Sequence, residues 1–519
     1  MSQEKKQKSL DAFVSFPSPY TQTLLVQALA AAVPCLSLTL VQPAALQWAD
    51  YDLMSFDIPH KNPSQYLISS YIYRKALIRK HELHHTIASY LAKCRHRQTP
   101  SVLAPVSLGA DGGVLGGGAP RGWTVDVQFA DELDEALMDD LFELSQEMKD
   151  NEGKGDGERR WWILKPGFAD RAQGIRLFST EDELRAIFEE FEPASEDGAS
   201  EDGADEDGDE RELEDTDDRM DRLAKKTVEM GLAPEGTGVV ISQLRHFVIQ
   251  ASLALNDYIP RPMLFDIAET PGKPLAPLTG YKFHLRAYVL VTGAYTVHLA
   301  KTMLALFSGS LYTPPRVSDD GKLDLGPHLT NTCLQTDVYG APVPAADLVK
   351  LFYELEGLTV LTHSSKPSTF GKYTYEPQGR VTKEWLDTTF EKVGDVVSET
   401  IKAGAECGSF GLQFMPNAFE IFGVDLILSF PPSVVEPDRL PIPVVTLLEF
   451  NASPDFYQSG DRLRPQLLEM FKGVVNISIV PFFGLSTRHD EVDDTAMKVG
   501  DEKWGWRMVG KGEVRGSDW

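Results

Sequence analysis

Two apolar runs in the C-terminal third constrain the fold most, because each carries acids where a buried strand should carry none. In Phe419-Glu420-Ile421-Phe422-Gly423-Val424-Asp425-Leu426-Ile427-Leu428, past Glu420 at its start, the single carboxylate Asp425 interrupts the run. In Val444-Val445-Thr446-Leu447-Leu448-Glu449-Phe450-Asn451, the polar residues Glu449 and Asn451 stand two apart at the end. Both runs read as strands, and a period of two puts Glu449 and Asn451 on one face. A carboxylate isolated inside a sheet is costly unless it is paired, hydrogen-bonded or bound to a metal. Three oxygen donors converging from adjacent strands suit Mg²⁺, which favours carboxylates together with nucleotide phosphates and retained waters. The other reading is that each acid lies at a sheet end and faces water. On spacing alone the two stand level.

The strand Lys282-Phe283-His284-Leu285-Arg286-Ala287-Tyr288-Val289-Leu290-Val291 places Lys282, His284 and Arg286 on one face and Phe283, Leu285 and Ala287 on the other. Three basic groups on one face repel unless an anion lies across them, and a triphosphate is the obvious candidate. A solvated edge strand fits less well, because the run continues apolar. A third segment, Trp161 to Lys165, ends a strand in a lysine ahead of the loop Pro166-Gly167-Phe168-Ala169-Asp170-Arg171-Ala172-Gln173-Gly174-Ile175. Backbone N–H groups of such a loop can approach phosphate oxygens and the lysine can reach them. Alone, a Lys-Pro-Gly turn is most often only a turn.

The 519 residues, 42% of them apolar, are enough for two or three domains. Strands and helices alternate, which predicts α/β or α+β domains around mixed sheets. A helix from Tyr20 to Ala32 is expected to lead into a buried strand from Cys35 to Val41, and further helices are expected over Tyr71 to Cys94 and Ala130 to Met148. Strands are expected from Trp123, at His246 to Gln250 and at Tyr295 to Ala300. Leu24 to Val41 is the one stretch to weigh for membrane insertion, and Gln27 and Pro34 interrupt it. The glycine-dense Gly109 to Gly117 reads as a loop and lacks the Lys-Ser/Thr ending of a P-loop.

Charge and composition exclude several classes. Residues 192–222 hold 16 acidic and 3 basic side chains, so this segment supplies −13 of the net −27. Poor in aromatics, it is expected to be a disordered, solvated insert. No long basic tract is present to displace phosphate counterions, which argues against general nucleic-acid binding. Cys35, Cys94, Cys333 and Cys407 form no CxxC pair, so neither a disulfide framework nor a zinc site is suggested. His81-Glu82-Leu83-His84-His85 has the His-Glu-x-x-His order at helical zinc spacing, but the basic residues around it oppose a cation, and the histidines read as surface or groove residues. No Gly-x-Ser-x-Gly elbow is present. A soluble, cytoplasmic protein is expected.

Taken in order, Tyr71 to Lys80 (YIYRKALIRK), Trp162 to Ile175 (WILKPGFADRAQGI), Tyr258 to Leu264 (YIPRPML), Lys282 to Val291 (KFHLRAYVLV), His328 to Gln335 (HLTNTCLQ), Glu420 to Leu426 (EIFGVDL) and Leu448 to Pro454 (LEFNASP) resemble the tubulin-tyrosine ligase family. Each motif alone is unspecific; the ordered set is specific. The resemblance implies an ATP-grasp fold, with an N-terminal α/β domain over 1–120, a central ATP-grasp domain over 121–265 that carries the acidic insert, and a C-terminal ATP-grasp domain over 266–519. It implies an ATP- and Mg²⁺-dependent ligase that activates a carboxylate as an acyl phosphate and joins it to an amine. The partners implied are a free amino acid and an acidic protein tail such as that of tubulin. Carried over by position, Asp425, Glu449 and Asn451 match magnesium ligands. Lys75, Lys165 and Lys282 match nucleotide contacts, Asn331 matches a residue beside the phosphates, and Arg286 matches the arginine supporting phosphoryl transfer.

The chain departs from the family pattern at several points. His284 stands where an aspartate usually holds the nucleotide ribose, and a histidine there is expected to vary in charge near neutral pH. Ala172 replaces a common glycine, residues 251–257 lengthen the adenine hinge, and Leu306 replaces an arginine that grips the peptide substrate. These changes support a second reading, in which the chain is a nucleotide-binding, weakly active or inactive interaction module. Some fungal relatives of this type are associated with messenger-RNA processing bodies.

Overall fold

The computed structural model describes residues 9–108, 114–127, 129–155, 159–167, 173–191, 246–251, 261–272, 277–315, 324–331, 335, 343–364, 374–408, 410–432, 439–485 and 497–513. The acidic run 192–222, Ala172, and all of the lengthened hinge except Ala251 lie outside the described residues. The chain divides into two compact units, Met1–Arg121 with Leu253–Trp519, and Gly122–Ser252.

The larger unit begins with a parallel sheet of β1 (Leu10–Ser15), β2 (Leu36–Leu38), β3 (Leu46–Ala49) and β4 (Leu67–Ile68), in the order β2-β1-β3-β4. A small antiparallel ribbon follows, β5 (Ser107–Leu108) with β6 (Val114–Leu115). The smaller unit is an antiparallel sheet of β7 (Gly122–Asp126), β8 (Trp162–Pro166), β9 (Arg176–Phe178) and β10 (His246–Ala251), ordered β7-β10-β8-β9. Its helices Glu132–Met138, Phe142–Lys149 and Glu181–Phe191 turn Leu133, Leu144, Phe188 and Phe191 onto Trp162, Leu164 and Phe247 of the sheet. The long helix expected over Ala130 to Met148 is thus two. The backbone leaves helical geometry at Asp139 (φ −121°, ψ −97°), which lets Leu141 also reach the core.

The remaining strands form one eleven-stranded sheet: β11 (Leu264–Phe265), β12 (Tyr281–Thr292), β13 (Thr296–Ala300), β14 (Leu304–Leu311), β15 (Val349–Leu351), β16 (Thr359–His363), β17 (Tyr375–Arg380), β18 (Phe419–Ser429), β19 (Val444–Asn451), β20 (Glu502–Lys503) and β21 (Trp506–Lys511). β12 is its axis, bonded to β11, β13, β14 and β18. One face of β12 sends Phe283, Leu285, Ala287, Val289 and Val291 into a core shared with Trp385, Phe390 and Ile401 of the helix Lys383–Glu406. On the other face, Tyr288 and Leu290 enter a second core with Leu24 and Leu29 of the helix Pro19–Ala32 and Phe471 of the helix Arg464–Val474. Lys282, His284 and Arg286 continue that second face, so one strand passes from an apolar core into a charged surface.

Three local expectations change. The run after Cys35 is not buried: β2 is a short edge strand, and Leu38, Leu40 and Val41 are exposed because no element packs over them. Leu24 to Val41 is divided between a helix, a turn and β2. Among the described residues, the helical run long and apolar enough to cross a membrane is instead Asp461–Phe483, whose Leu467, Met470, Val474 and Ile479 pack in the second core. The helix expected over Tyr71 to Cys94 is a short helix Lys75–Ile78 and a long one Lys80–Arg97, separated where Arg79 is extended (φ −93°, ψ 121°).

Before that break the chain is tied to β18 by Glu420. Its carboxylate accepts the Tyr71 N–H at 3.1 Å and pairs with Arg74 Nε at 3.0 Å. Burial pushes the Glu420 pKa up to about 7, against the opposing pull of Arg74 and the Tyr71 amide. Ionisation is therefore harder in the folded state than in the unfolded chain. Its contribution to stability is complete below the ordinary carboxylate pKa and is lost as pH rises through about 7. Between about pH 4.5 and about pH 8, the wild-type melting temperature should fall relative to that of Glu420→Gln. Parallel thermal melts across that range check this, and a pH-independent difference would refute it.

Candidate functional site

Register brings the acid-bearing and base-bearing segments together. On β12 and β18, Arg286 pairs with Asp425; across β18 and β19, Asp425 pairs with Glu449 and Gly423 with Asn451. Directly opposed residues of antiparallel strands share a face, so all of these side chains rise from the same side of the sheet. A register shift after Asp425 places Leu426 opposite Leu447 and leaves Leu448 over, the disruption by which a bulge re-aims side chains at a sheet end.

Arg286 grips Asp425 with both arms of its guanidinium, Nε to Oδ1 at 2.5 Å and Nη2 to Oδ2 at 2.8 Å. Burial opposes the arginine's charge, but the Asp425 carboxylate overcomes it and holds the guanidinium pKa above its ordinary value. Asn451 Nδ2 donates to Asp425 Oδ2 at 3.3 Å. The Lys80 ammonium lies 3.3 Å from Glu449 Oε2. A Cβ added at Gly423 would stand 3.2 Å from Arg286 Cδ and 3.0 Å from Pro454, so glycine here clears the path of the arginine stem.

The other two basic residues of β12 are tied to the segment His328 to Asn331. Lys282 Nζ donates to the His328 carbonyl at 2.8 Å, and His284 Nδ1 lies 2.6 Å from the Thr330 hydroxyl oxygen. These two bonds bring the adjacent Asn331, half-buried, alongside the basic strand. His284 Nε2 is 3.6 Å from Asp425 Oδ1, yet burial outweighs that attraction and lowers its pKa. The variable charge expected of this histidine gives way to a neutral ring at neutral pH. Opposite His284 on β14 stands Leu306, buried, and opposite Arg286 stands Leu304. Two of the departures from the family pattern, His284 and Leu306, are thus direct cross-strand neighbours.

Lys75 is the half-buried first residue of the short helix Lys75–Ile78. In the smaller unit, Lys165 is next to last in β8, with its Nζ 3.0 Å from Gln250 Oε1 on β10. His81 and His84 are half-buried on their helix and His85 is exposed. Among the described residues, no three His, Cys, Asp or Glu side chains gather as a metal site. The candidate set is instead two carboxylates and an amide, hard oxygen donors of the kind Mg²⁺ takes together with waters and phosphate oxygens. In their donor chemistry these residues fit a divalent cation; the positive charge that two carboxylates facing each other across strands require is supplied in this structure by Arg286 and Lys80.

A family model described as the tubulin-tyrosine ligase family matches residues 126–487. The chain belongs to that family. A probable tubulin-tyrosine ligase of Schizosaccharomyces pombe is 32% identical over 484 residues, covering 93% of this chain and 94% of that one. The probable tubulin-tyrosine ligase PBY1 of Saccharomyces cerevisiae is 31% identical over 459 residues, 88% of this chain and 48% of the relative, so the chain spans about half of that protein. The crystal structure of the C-terminal domain of K. lactis Pby1, an ATP-grasp enzyme interacting with the mRNA decapping enzyme Dcp2, superposes with a TM-score of 0.54 at 24% identity, covering 97% of this chain and 99% of that one. The fold is ATP-grasp, a mixed α/β architecture of parallel and antiparallel sheets.

In this family member, sequence reasoning overlooked Lys80, Thr330 and Glu420. Lys80 and Thr330 lie inside the matched stretches, but nothing local marks a lysine or threonine that contacts a distant strand.

The Arg286–Asp425 pair generates a stability prediction, because removing one partner leaves the other charge buried and uncompensated. Arg286→Met and Asp425→Asn should each destabilise the fold by about 3–5 kcal/mol, and the double variant by clearly less than their sum. Urea unfolding of the four proteins checks this; additive losses would mean that the pair is not coupled.

Proposed function

We propose that the chain is an ATP- and Mg²⁺-dependent carboxylate–amine ligase that adds an amino acid to a protein tail in the cytoplasm. The observation carrying this reading is the cross-strand set Arg286, Asp425, Glu449 and Asn451 on one face of β12, β18 and β19. In the proposed reaction an oxygen of the substrate carboxylate attacks the γ-phosphorus of ATP as the bridging P–O bond breaks and ADP leaves. The amine nitrogen then attacks the acyl carbon, the C–O bond to phosphate breaks, and the nitrogen releases a proton to leave an amide. Asp425, Glu449 and Asn451 would hold Mg²⁺, which when bound neutralises phosphate charge. Lys75, Lys165, Lys282 and Asn331 would contact the nucleotide. His284, neutral and anchored on Thr330, would contribute a hydrogen bond rather than a charge. Arg286, held in a fixed orientation by Asp425, would steady the transferring phosphoryl group; catalysis of this kind is mainly positioning and charge neutralisation.

The acceptor proposed is an acidic tail such as that of tubulin. The second reading, a nucleotide-binding interaction module of messenger-RNA turnover, is favoured by one feature of the site and one relative. Leu306 and neutral His284 stand side by side where the family pattern has charge, and the K. lactis protein of the same fold interacts with a decapping enzyme.

Calorimetry with ATP and Mg²⁺ should find magnesium-dependent binding in the intact chain, weakened at least about tenfold in Glu449→Gln, the loss of about 1.4 kcal/mol or more. Absence of binding in the intact chain would refute the ligase reading. Magnesium-dependent binding with no labelled amino acid incorporated into tubulin or other acidic proteins would favour the interaction module.

A further inference from the structure

Asp425 and Glu449 face each other across β18 and β19, and each has its own cation. The two cations are not equivalent. Arg286 holds Asp425 by two bonds from a planar fork, and both groups are nearly buried, with side-chain exposures of 14% and 5%. The Lys80 ammonium lies 3.3 Å from one oxygen of Glu449, and these side chains are 19% and 22% exposed. A fork bonded at both arms is fixed, whereas an ammonium on a four-carbon stem is a point charge that can swing. Lys80 opens the helix Lys80–Arg97, directly after the extended Arg79 and five positions beyond Lys75.

We propose that Lys80 is an exchangeable counter-ion of the site: it neutralises Glu449 when no metal is bound and transfers to the polyphosphate when a divalent cation takes the carboxylate. This rests on the ligase-type nucleotide site proposed above. A divalent cation on Glu449 competes for the carboxylate that the lysine contacts and repels the lysine's charge, while the phosphates that accompany the metal offer it a new anion. The exchange keeps the opposed carboxylates compensated in both states, at no point leaving two negative charges facing each other unpaired. It also makes the lysine do two opposite things, competing with the metal and assisting the nucleotide.

That opposition is the test. Binding of a non-hydrolysable ATP analogue is measured by calorimetry over a series of free Mg²⁺ concentrations for wild type, Lys80→Gln, Lys80→Arg and Glu449→Gln. Each series yields the Mg²⁺ concentration at half effect and the limiting nucleotide affinity. In Lys80→Gln the half-effect concentration should fall about threefold, the weight of a partly exposed ion pair. The limiting affinity should weaken about tenfold, the weight of a charge-assisted hydrogen bond. Lys80→Arg should restore the second quantity. A purely structural lysine, or a damaged fold, would move both quantities in the unfavourable direction or neither, and either result overturns the proposal. If wild type binds the analogue with magnesium dependence lost in Glu449→Gln, but Lys80→Gln shows no opposed shifts, only the exchange is wrong. If wild type shows no magnesium-dependent binding, the nucleotide site and the exchange fall together.

Discussion

The bidentate pair between Arg286 and Asp425 is the constraint around which the charged end of the large sheet is arranged. A carboxylate this deeply placed is tolerable only with a partner of good geometry and with its remaining lone pairs engaged, and Asn451 supplies that further bond. The requirement propagates outward. A side chain at position 423 would crowd the arginine stem and Pro454, and the register shift directly after Asp425 keeps it opposite both Arg286 and Glu449 within the ladder. β12 must also be apolar on its opposite face so that Phe283, Leu285 and Ala287 anchor it against the helix Lys383–Glu406. Its charged face can then be held rigidly, because packing on the other face fixes the strand.

Much of this was legible in the sequence because strand geometry is short-ranged. A period of two is enough to place Lys282, His284 and Arg286 on one face of their strand and Glu449 and Asn451 on one face of theirs, and the register brings Arg286, Glu449 and Asn451 to the same side of the sheet. Element boundaries were less legible. Asp139 and Arg79 interrupt helices whose apolar spacing continues on either side, and Leu38 to Val41 have strand composition but nothing to pack against. These outcomes depend on which other elements arrive, and no local pattern encodes that.

Partnerships between distant segments carried even less signal. Glu420 reads as the polar start of a strand, yet its value to the fold comes from Tyr71 and Arg74. Lys80 reads as one more basic residue on a polar helix, yet it faces Glu449. The neutrality of His284 is of the same kind: histidine type alone suggests a group titrating near neutral pH, and only burial, which outweighs the pull of Asp425, lowers its pKa and leaves the ring uncharged.

His284 and Leu306 looked like two separate departures from a family pattern, and their register makes them one. They stand opposite each other on β12 and β14, and Leu306 in turn stands opposite Val349 on β15. A charged group at position 306 would lie in the second apolar core with Leu304 and Val349 and would need a partner there; a charged ring at 284 would lack solvent for the same reason. Uncharged residues at both positions remove that cost together. What is left on this flank of Arg286 is an apolar wall, while the acids on the other flank are unchanged. One of the two departures, His284, thus falls at the position matched to ribose binding and the other, Leu306, at the position matched to the peptide substrate, while Asp425, Glu449 and Asn451, the residues proposed to hold metal, match the family pattern.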